Sequence, residues 1–290
     1  MSSTHVTDPA AVVAARDAGQ RCAGHLPAPP SPQEPFAEER RGLLWLCERE
    51  ILRFLKLWVQ TIVAPVISSL LFIVVFGIAL GDRIAAVDGV PYDQFIVPGL
   101  VVQAILTAAY SNNSSTLFQA RSDRFLNDVL SSPLRWWEVN IGVAIGGVVR
   151  GLLTGAVLLV AAVLMTGVAI EQPLILVVAT ALVLVAFAQL GVIAGIYAKS
   201  WDFMAFVTTL VILPLSFLGG IFYSVDRLPE GWQVVSHLNP IFYLVQAFRE
   251  GFSGTSDVPI GLSLAVVALL AVTLSGWCAW LFRTGHRLKP

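Results

Sequence analysis

The stretch LPEGWQVVSHLNPIFYL, from Leu228 to Leu244, places two short helices in succession between two long apolar segments. Leu228-Pro229-Glu230 is typical of a helix start, because proline is tolerated in the first turn and the helix dipole favours glutamate there. Asn239-Pro240 ends that helix and starts a second one, which we expect to end near Gly251. A helix of about twelve residues reaches only about 18 Å, short of the roughly 30 Å hydrocarbon core of a bilayer. The sequence therefore predicts a helical hairpin over residues 228–251 that does not cross the membrane.

This hairpin can be placed in two ways. Packed against other helices of the protein, it would form a re-entrant element whose backbone breaks find hydrogen-bond partners. Lying flat at the membrane surface, it would be an interfacial helix pair. We predict the re-entrant placement, since the residues from Ile241 to Phe248 are mostly apolar.

The remainder of the chain has the composition of an integral membrane protein. Of its 290 residues, 56% are hydrophobic and 13% are charged, and the mean hydropathy is +0.77. Apolar runs of about twenty residues or more match the thickness of the hydrocarbon core. We therefore predict an all-α polytopic membrane protein, with residues 58–290 as its transmembrane domain. Six spans are predicted, at about 58–80, 95–118, 141–165, 173–197, 203–223 and 260–282.

Positive charge is distributed unevenly across these spans. Six crossings put both termini on one side of the membrane, and that side holds fourteen of the 18 lysines and arginines. By the positive-inside rule, both termini are predicted to be cytoplasmic. The net charge of -1 gives no basic excess of the kind that indicates a nucleic-acid partner.

The region before the first span has two parts. Residues 1–35 are rich in alanine and proline, which predicts a disordered tail. We expect no cleaved signal peptide, because no basic start is followed by an early apolar run. Residues 36–57 are predicted to form an amphipathic interfacial helix, and a plain lead-in helix is the alternative. Its cationic face, which would contact membrane lipids, consists of Arg49, Arg53 and Lys56, and its apolar face of Leu44, Cys47, Ile51, Leu55 and Trp58.

Motifs for catalysis on this chain are missing from the sequence. It has neither a GxxxxGK[ST] phosphate loop nor a GxGxxG turn after a strand, so we predict no nucleotide site on it. HExxH and CxxC are absent and the histidines are scattered, so we predict neither a metal site nor catalytic residues. The cysteines, Cys22, Cys47 and Cys278, form no pairable framework. Aspartate and glutamate are confined to tails and loops, which argues against a proton-driven carrier.

One ionisable residue lies inside a predicted span. Arg150 is in the third span, where a charge is expensive and by default indicates a functional role. It could meet an anionic substrate group, or bond to the backbone or to the polar run of the second span that includes Asn112 and Asn113. Alternatively, it snorkels to the headgroups or makes a structural hydrogen bond. The glycines of the same span predict close helix packing or a seam with a second chain, and they are Gly142, Gly146, Gly147, Gly151 and Gly155.

The loop QARSDRFLNDVLSSPLRWWEV, residues 119–139, is expected to contain a short helix from Arg121 to Leu130 that Ser-Ser-Pro closes. Its apolar side chains would form a patch ringed by charges, which could seat in a cleft on a soluble partner. A plain connector on the bilayer surface fits the same residues. The patch consists of Phe125, Leu126, Val129 and Leu130, and the ring of Arg121, Asp123, Arg124 and Asp128.

Taken in order, these segments resemble the permease subunits of bacterial type-2 ATP-binding-cassette exporters, in the branch that includes inner-membrane transport permeases and nodulation-factor exporters. The resemblance covers nearly everything after about residue 45, whereas residues 1–35 have no counterpart. Four stretches carry it, the last most specifically: FLKLWVQTIVAPVISSLLFIVVFG (54–77), YDQFIVPGLV (92–101), GGVVRGLL (146–153) and LGGIFYSVDRLPEGWQVVSHLNPIFYLVQAFREGF (218–252).

The resemblance implies a transport subunit that is not itself an enzyme. Arg121–Leu130 would be a coupling helix for a separate soluble ATPase, which would hold ATP and Mg, and residues 38–56 would also touch that ATPase. Two permease chains, predicted as a homodimer, would form the export path in the bacterial inner membrane. The hairpin would line or gate the outer exit through residues that include Trp232, Leu238, Asn239, Pro240, Phe242 and Tyr243.

The sequence does not choose the substrate, which the resemblance limits to an amphipathic, lipid-linked, glycan or drug-like molecule. An ATP-independent channel or facilitator is the alternative function. Such a channel would need no docking patch for a soluble partner.

Overall fold

The computed structural model describes residues 35–81, 86, 87, 89–123, 126, 129 and 134–287. The chain divides into residues 1–38 and a unit from Glu39 to Pro290. The predicted disordered tail over residues 1–35 lies outside the described residues, apart from Pro35, at which the first helix begins.

Helices make up nearly all of the chain that the structure describes. Six helical segments are long and apolar enough to cross a membrane, and the sheet found there is one pair of two-residue strands. The predicted all-α polytopic membrane fold is thereby confirmed. The helices are α1 (Pro35–Leu55), α2 (Ala64–Gly81), α3 (Tyr92–Ser122), α4 (Trp136–Thr166), α5 (Pro173–Tyr197), α6 (Trp201–Phe206), α7 (Leu213–Leu218), α8 (Glu230–Leu238), α9 (Pro240–Ser253) and α10 (Ile260–Thr284), and the strands are β1 (Ala86–Val87) and β2 (Val90–Pro91).

The first and fifth spans are composite, whereas α3, α4, α5 and α10 are single helices. A π-helical segment, Val59–Val63, precedes α2 in the first span, and a second, Val207–Ile212, joins α6 to α7 in the fifth. Each π-helical segment is followed by a proline in the first turn of the next α-helix, Pro65 or Pro214. Because proline has no N–H, the carbonyl four residues before it has no α-helical donor. The regular hydrogen-bond ladder therefore changes at these two points.

Helix α3 lies at the centre of the bundle. It packs against α2, α4, α5 and α9, and 20 of its 31 residues are buried. Its most apolar window is 78% buried, whereas those of the first and fifth spans are 11% and 17% buried. The first and fifth spans therefore leave most of their apolar surface uncovered by this chain.

The glycines of α4 allow neighbouring helices of the same chain to approach closely. A Cβ atom on Gly147 would lie 2.6 Å from Asn113 Oδ1 and 2.7 Å from the Ala109 carbonyl oxygen, closer than real Cβ contacts. A Cβ atom on Gly146 would lie 3.2 Å from Glu50 Cβ. These contacts favour close packing within the chain over a glycine seam with a second chain.

Helices α8 and α9 form a helical pair that is broken at Asn239. Helix α9 packs against α3, α5 and α10, and 10 of its 14 residues are buried. Its length of about 21 Å is too short to cross a bilayer. Helix α8 instead exposes apolar side chains such as Trp232 and Leu238. The re-entrant placement of the pair stays a prediction.

Candidate functional site

A polar cluster joins α1 to the centre of the bundle. The Arg53 guanidinium donates to Glu50 Oε2 at 3.3 Å, to Asn112 Oδ1 at 3.3 Å and to Thr116 Oγ1. Glu50, Asn112 and Thr116 are all buried. We call these four residues the α1 cluster.

The spacing of these residues along their helices and the presence of one glycine bring the cluster together. Glu50 and Arg53 are three residues apart on α1, and Asn112 and Thr116 are four apart on α3, so each pair shares a helix face. Gly146 of α4 leaves room for them, since a Cβ atom there would lie 2.9 Å from Asn112 Nδ2. Burial raises the pKa of the Glu50 carboxyl, against the opposing effect of the nearby guanidinium groups.

The faces of α1 differ from the predicted ones. Arg53, which we placed with Arg49 and Lys56 on an outward cationic face, bonds inward to α3 because buried Glu50 and the polar groups of α3 compensate its charge. Leu46 and Phe54 are buried on the same side as Glu50. The interfacial role of α1 stays a prediction. Leu44 and Leu55 of α1 are exposed, and so is Trp58, which follows the helix.

The Asn113 side chain links three spans through hydrogen bonds. Its Nδ2 donates to the Ala144 carbonyl of α4 at 3.3 Å and to the Ala188 carbonyl of α5 at 3.1 Å. Its Oδ1 accepts from Asn112 Nδ2 at 3.2 Å. With its side chain fully buried and bonded in this way, Asn113 is a structural crosslink at the middle of the bundle.

Arg150 bonds to neither asparagine. Its Nε donates to the Thr61 carbonyl at 3.3 Å, within the π-helical segment of the first span. Pro65 accounts for this acceptor, because the α-helical donor for the Thr61 carbonyl would be the N–H that Pro65 lacks. The sequence signal that could have found this contact is the Thr61–Pro65 spacing of four residues.

The segment that follows α3 is fastened to the end of α5. Arg121 Nη1 donates to the carbonyls of Gly195 at 3.3 Å, Ala198 at 3.4 Å and Ile196. The last carbonyls of a helix lack intrahelical donors and attract a cation. The Asp123 N–H closes α3 by donating to the Gln119 carbonyl at 2.9 Å. Arg121 therefore bonds to the backbone of its own chain, whereas the sequence predicts it as part of an outward ring of charges.

The residues that the structure describes include only part of the predicted docking patch. Leu126 and Val129 are buried in the core of this chain, so these two side chains are not presented to a partner. Arg124, Phe125, Asp128 and Leu130 lie outside the described residues. The role of residues 121–130 in docking a partner stays a prediction.

Asn239 holds the break between α8 and α9 against α7. Its Nδ2 donates to the Leu215 carbonyl at 2.6 Å, and its Oδ1 accepts from the Ile241 N–H at 3.0 Å. Ser236 Oγ donates to the Leu218 carbonyl at 3.2 Å. The hairpin is thus bonded to the fifth span through both side chains.

The predicted gate residues separate into buried and exposed groups. Phe242 is fully buried, whereas Trp232 and Leu238 are 57% and 79% exposed. Tyr243 donates its hydroxyl to the His237 carbonyl at 3.0 Å, and Pro240 begins α9. An apolar surface on α8 is therefore available for lipid or for another protein chain.

Sequence reasoning missed a second polar cluster, next to the hairpin. Arg249 of α9 is buried, forms an ion pair with Asp257 at 3.4 Å and donates to the Gly220 carbonyl at 2.9 Å. Its guanidinium also lies over the Phe95 ring, 4.1 Å from the centroid. Gln246 Nε2 donates to Asp257 at 2.7 Å. The missed signal is the Gln246–Arg249 spacing of three residues in an otherwise apolar short helix.

Within the described ranges, no group of three or more His, Cys, Asp or Glu side chains could hold a metal ion. The two clusters above each combine an arginine with one carboxylate and with amide or hydroxyl groups, which bond to one another and to backbone carbonyls. The absence of a cofactor on this chain stays a prediction.

Comparison with known proteins assigns the fold to a family. The sequence model of the ABC-2 type transporter family matches residues 41–253. This range includes α8, α9, the α1 cluster and Arg249 of the second polar cluster, but not Asp257. The chain belongs to the ABC-2 type transporter family. This permease is 40% identical over 243 residues to the "Inner membrane transport permease YadH" of Escherichia coli K12, covering 83% of this chain and 94% of that protein.

More distant relatives of this ABC-2 permease include two proteins named "Nodulation protein J". One from Sinorhizobium fredii is 26% identical, over 74% of this chain and 84% of its own length. One from Rhizobium meliloti is also 26% identical, over 80% of this chain and 89% of its own length. The family match and the six apolar helices identify a multi-pass inner-membrane transport permease.

Proposed function

We propose that this permease is the membrane-spanning part of an exporter that a separate ATP-binding subunit drives. The observation that carries this proposal is the position of α3, which runs from the predicted coupling segment to the hairpin. At its C-terminal end, Arg121 bonds to the carbonyls that end α5, and the segment that follows buries Leu126 and Val129. A partner that pushes on residues 121–130 would therefore act on the core of the bundle.

The opposite end of α3 contacts the hairpin and the loop before it. Phe95 lies beneath the Arg249 guanidinium of α9, and the Tyr92 hydroxyl donates to the Phe222 carbonyl at 3.1 Å. A helix of 31 residues is about 46 Å long and moves largely as a rigid body. Movement at the coupling segment would thus be transmitted through α3 to the hairpin, which we propose as the outer gate.

A second copy of the permease would complete the transport path. The first and fifth spans leave their apolar surfaces largely uncovered by this chain, and we place the second copy against them. The substrate would be an amphipathic, lipid-linked, glycan or drug-like molecule that moves outward between the copies. ATP and Mg would bind to the ATPase subunit, and this chain would catalyse no covalent step. By its distribution of positive charge, both of its termini would be cytoplasmic.

Replacing Phe125 with aspartate is expected to abolish recovery of the ATPase with a tagged permease that is extracted gently from its native membrane. A carboxylate cannot replace an aromatic side chain in an apolar cleft without a desolvation penalty of several kcal/mol. Quantitative mass spectrometry of the purified material should find a near-stoichiometric ATPase with the wild type, and at least about tenfold less with Phe125→Asp.

A matched control is Thr284→Asp, which adds the same charge at the exposed end of α10. This variant should retain the ATPase. Equal recovery with Phe125→Asp and the wild type would contradict the coupling assignment. If crosslinking also recovered no ATPase with the wild type, the proposed function itself would be wrong.

A further inference from the structure

Arg150 has a charged group without a counterion. Its Nε donates to the Thr61 carbonyl, but among the described residues its two terminal nitrogens have no hydrogen-bond partner and its guanidinium has no ion pair. Arg53, which carries the same sign, acts electrostatically on Arg150. The guanidinium therefore keeps two parallel donors available, in the geometry that binds a phosphate or a carboxylate through two bonds.

The depth of Arg150 makes this arrangement unfavourable without a ligand. It is near the middle of the 31-residue helix α4, about 21 Å along the axis from Trp136, where the helix begins. An uncompensated charge at such a position in an apolar helix is expensive, and a like-charged neighbour raises the penalty further. An anion at this site would remove both penalties.

Arg53, which acts electrostatically on Arg150, is also one of the residues that line an open groove along α1. The groove has a volume of about 630 Å³ and combines cationic with apolar side chains. Three of its residues are cations and one, Glu48, is a carboxylate. A groove with this combination is complementary to a molecule that has an anionic headgroup and an apolar body. The lining residues are Trp45, Glu48, Arg49, Leu52, Arg53, Lys56 and Leu57.

We propose that Arg150, together with Arg53, binds the phosphate or carboxylate of an amphipathic molecule that reaches it along the α1 groove. This inference rests on the proposed transport function and names the chemical class of the substrate. The apolar part of the molecule would lie against Leu52, Leu57 and the neighbouring lipid. The headgroup would accept hydrogen bonds from the two terminal nitrogens of Arg150. The hydrogen bond from Nε to the Thr61 carbonyl would hold the guanidinium in place.

Native mass spectrometry of the purified full-length permease can test this site with two probes that have the same acyl chains. We expect the wild type to bind dioleoyl phosphatidic acid at least about tenfold more tightly than dioleoyl phosphatidylcholine. Arg150→Gln should lose most of this preference. Arg283→Gln, which removes an exposed arginine from the last turn of α10, should keep it.

A preference that survives in Arg150→Gln, or its absence from the wild type, would overturn the proposal. Should Arg150→Gln not be recovered as a folded protein, Arg150→Lys decides, because lysine keeps the charge but lacks the two parallel donors. Several-fold weaker binding of phosphatidic acid by Arg150→Lys supports the site, and unchanged binding overturns it.

Isotope exchange distinguishes a transported molecule from a resident lipid. Bound phosphatidic acid should exchange within minutes when an excess of labelled phosphatidic acid is added, because a transport site must release its ligand. Failure to exchange over hours would overturn the substrate assignment and identify a structural lipid. Neither measurement involves the ATPase, so failure here leaves the recovery of that subunit as an independent test of the transport proposal.

Discussion

Arg249→Leu is expected to destabilise the folded permease by about 3 kcal/mol or more, because it removes one partner of a buried ion pair. Arg249 is 4% exposed and is bonded to Asp257 and to the Gly220 carbonyl. Leucine would leave the Asp257 carboxylate with the single amide donor of Gln246 and would remove the cation from the Phe95 ring. The thermal midpoint of the detergent-extracted protein, followed by size-exclusion chromatography after heating, should fall markedly.

The control for this prediction is Arg227→Leu, which makes the same chemical change at an exposed arginine that ends the 3₁₀ helix Val225–Arg227. It should leave the thermal midpoint nearly unchanged, since exposed charges contribute little to stability. A similar midpoint for Arg249→Leu and the wild type would show that the cluster around Arg249 does not hold the hairpin in place.

Gly147→Val is the second substitution for which we expect a large effect. The added Cβ would lie 2.7 Å from the Ala109 carbonyl oxygen and 2.6 Å from Asn113 Oδ1, so α3 and α4 would have to separate. Separation would also strain the bonds from Asn113 to the carbonyls of Ala144 and Ala188. Overpacking of this kind destabilises by about 1–3 kcal/mol, and loss of the Asn113 bonds would add to it. We expect a large fall in the yield of monodisperse protein.

Gly276→Val is the matched control, because it makes the same substitution inside another span. A Cβ atom on Gly276 would meet nothing within 4 Å. Its yield should therefore remain close to that of the wild type. Equal yields for Gly147→Val and Gly276→Val would mean that α3 and α4 do not approach each other as closely as the structure places them.

The six-span fold could be predicted from the sequence because it depends on the length and polarity of apolar runs. Bilayer thickness fixes that length, so no knowledge of tertiary contacts is needed. The break in the hairpin could be predicted for a similar reason, since Asn239-Pro240 interrupts a helix by local chemistry. Each of these features depends on residues that are close to one another in the sequence.

The inward orientation of Arg53 could not be predicted in this way. Helical periodicity sorts residues by polarity, so it assigned Arg53 to the solvent side with the other cations. The inward hydrogen bonds of Arg53 depend on Glu50 and on acceptors about 60 residues away on α3. A bond from Arg150 to the backbone is among the predicted alternatives, but its acceptor, the Thr61 carbonyl, could not be named from the sequence pattern. A backbone carbonyl carries no side-chain signal, and only Pro65 indicates that its α-helical donor is missing.

Coupling between the permease and its ATPase can be tested by measuring ATP hydrolysis by the recovered ATPase in liposomes with and without the permease. We expect the hydrolysis rate per ATPase to depend on the permease, and we expect the Phe125→Asp permease to leave it at the rate of the ATPase alone. An ATPase whose rate is the same with the wild-type permease, with the variant and without either would contradict coupling and favour a passive channel.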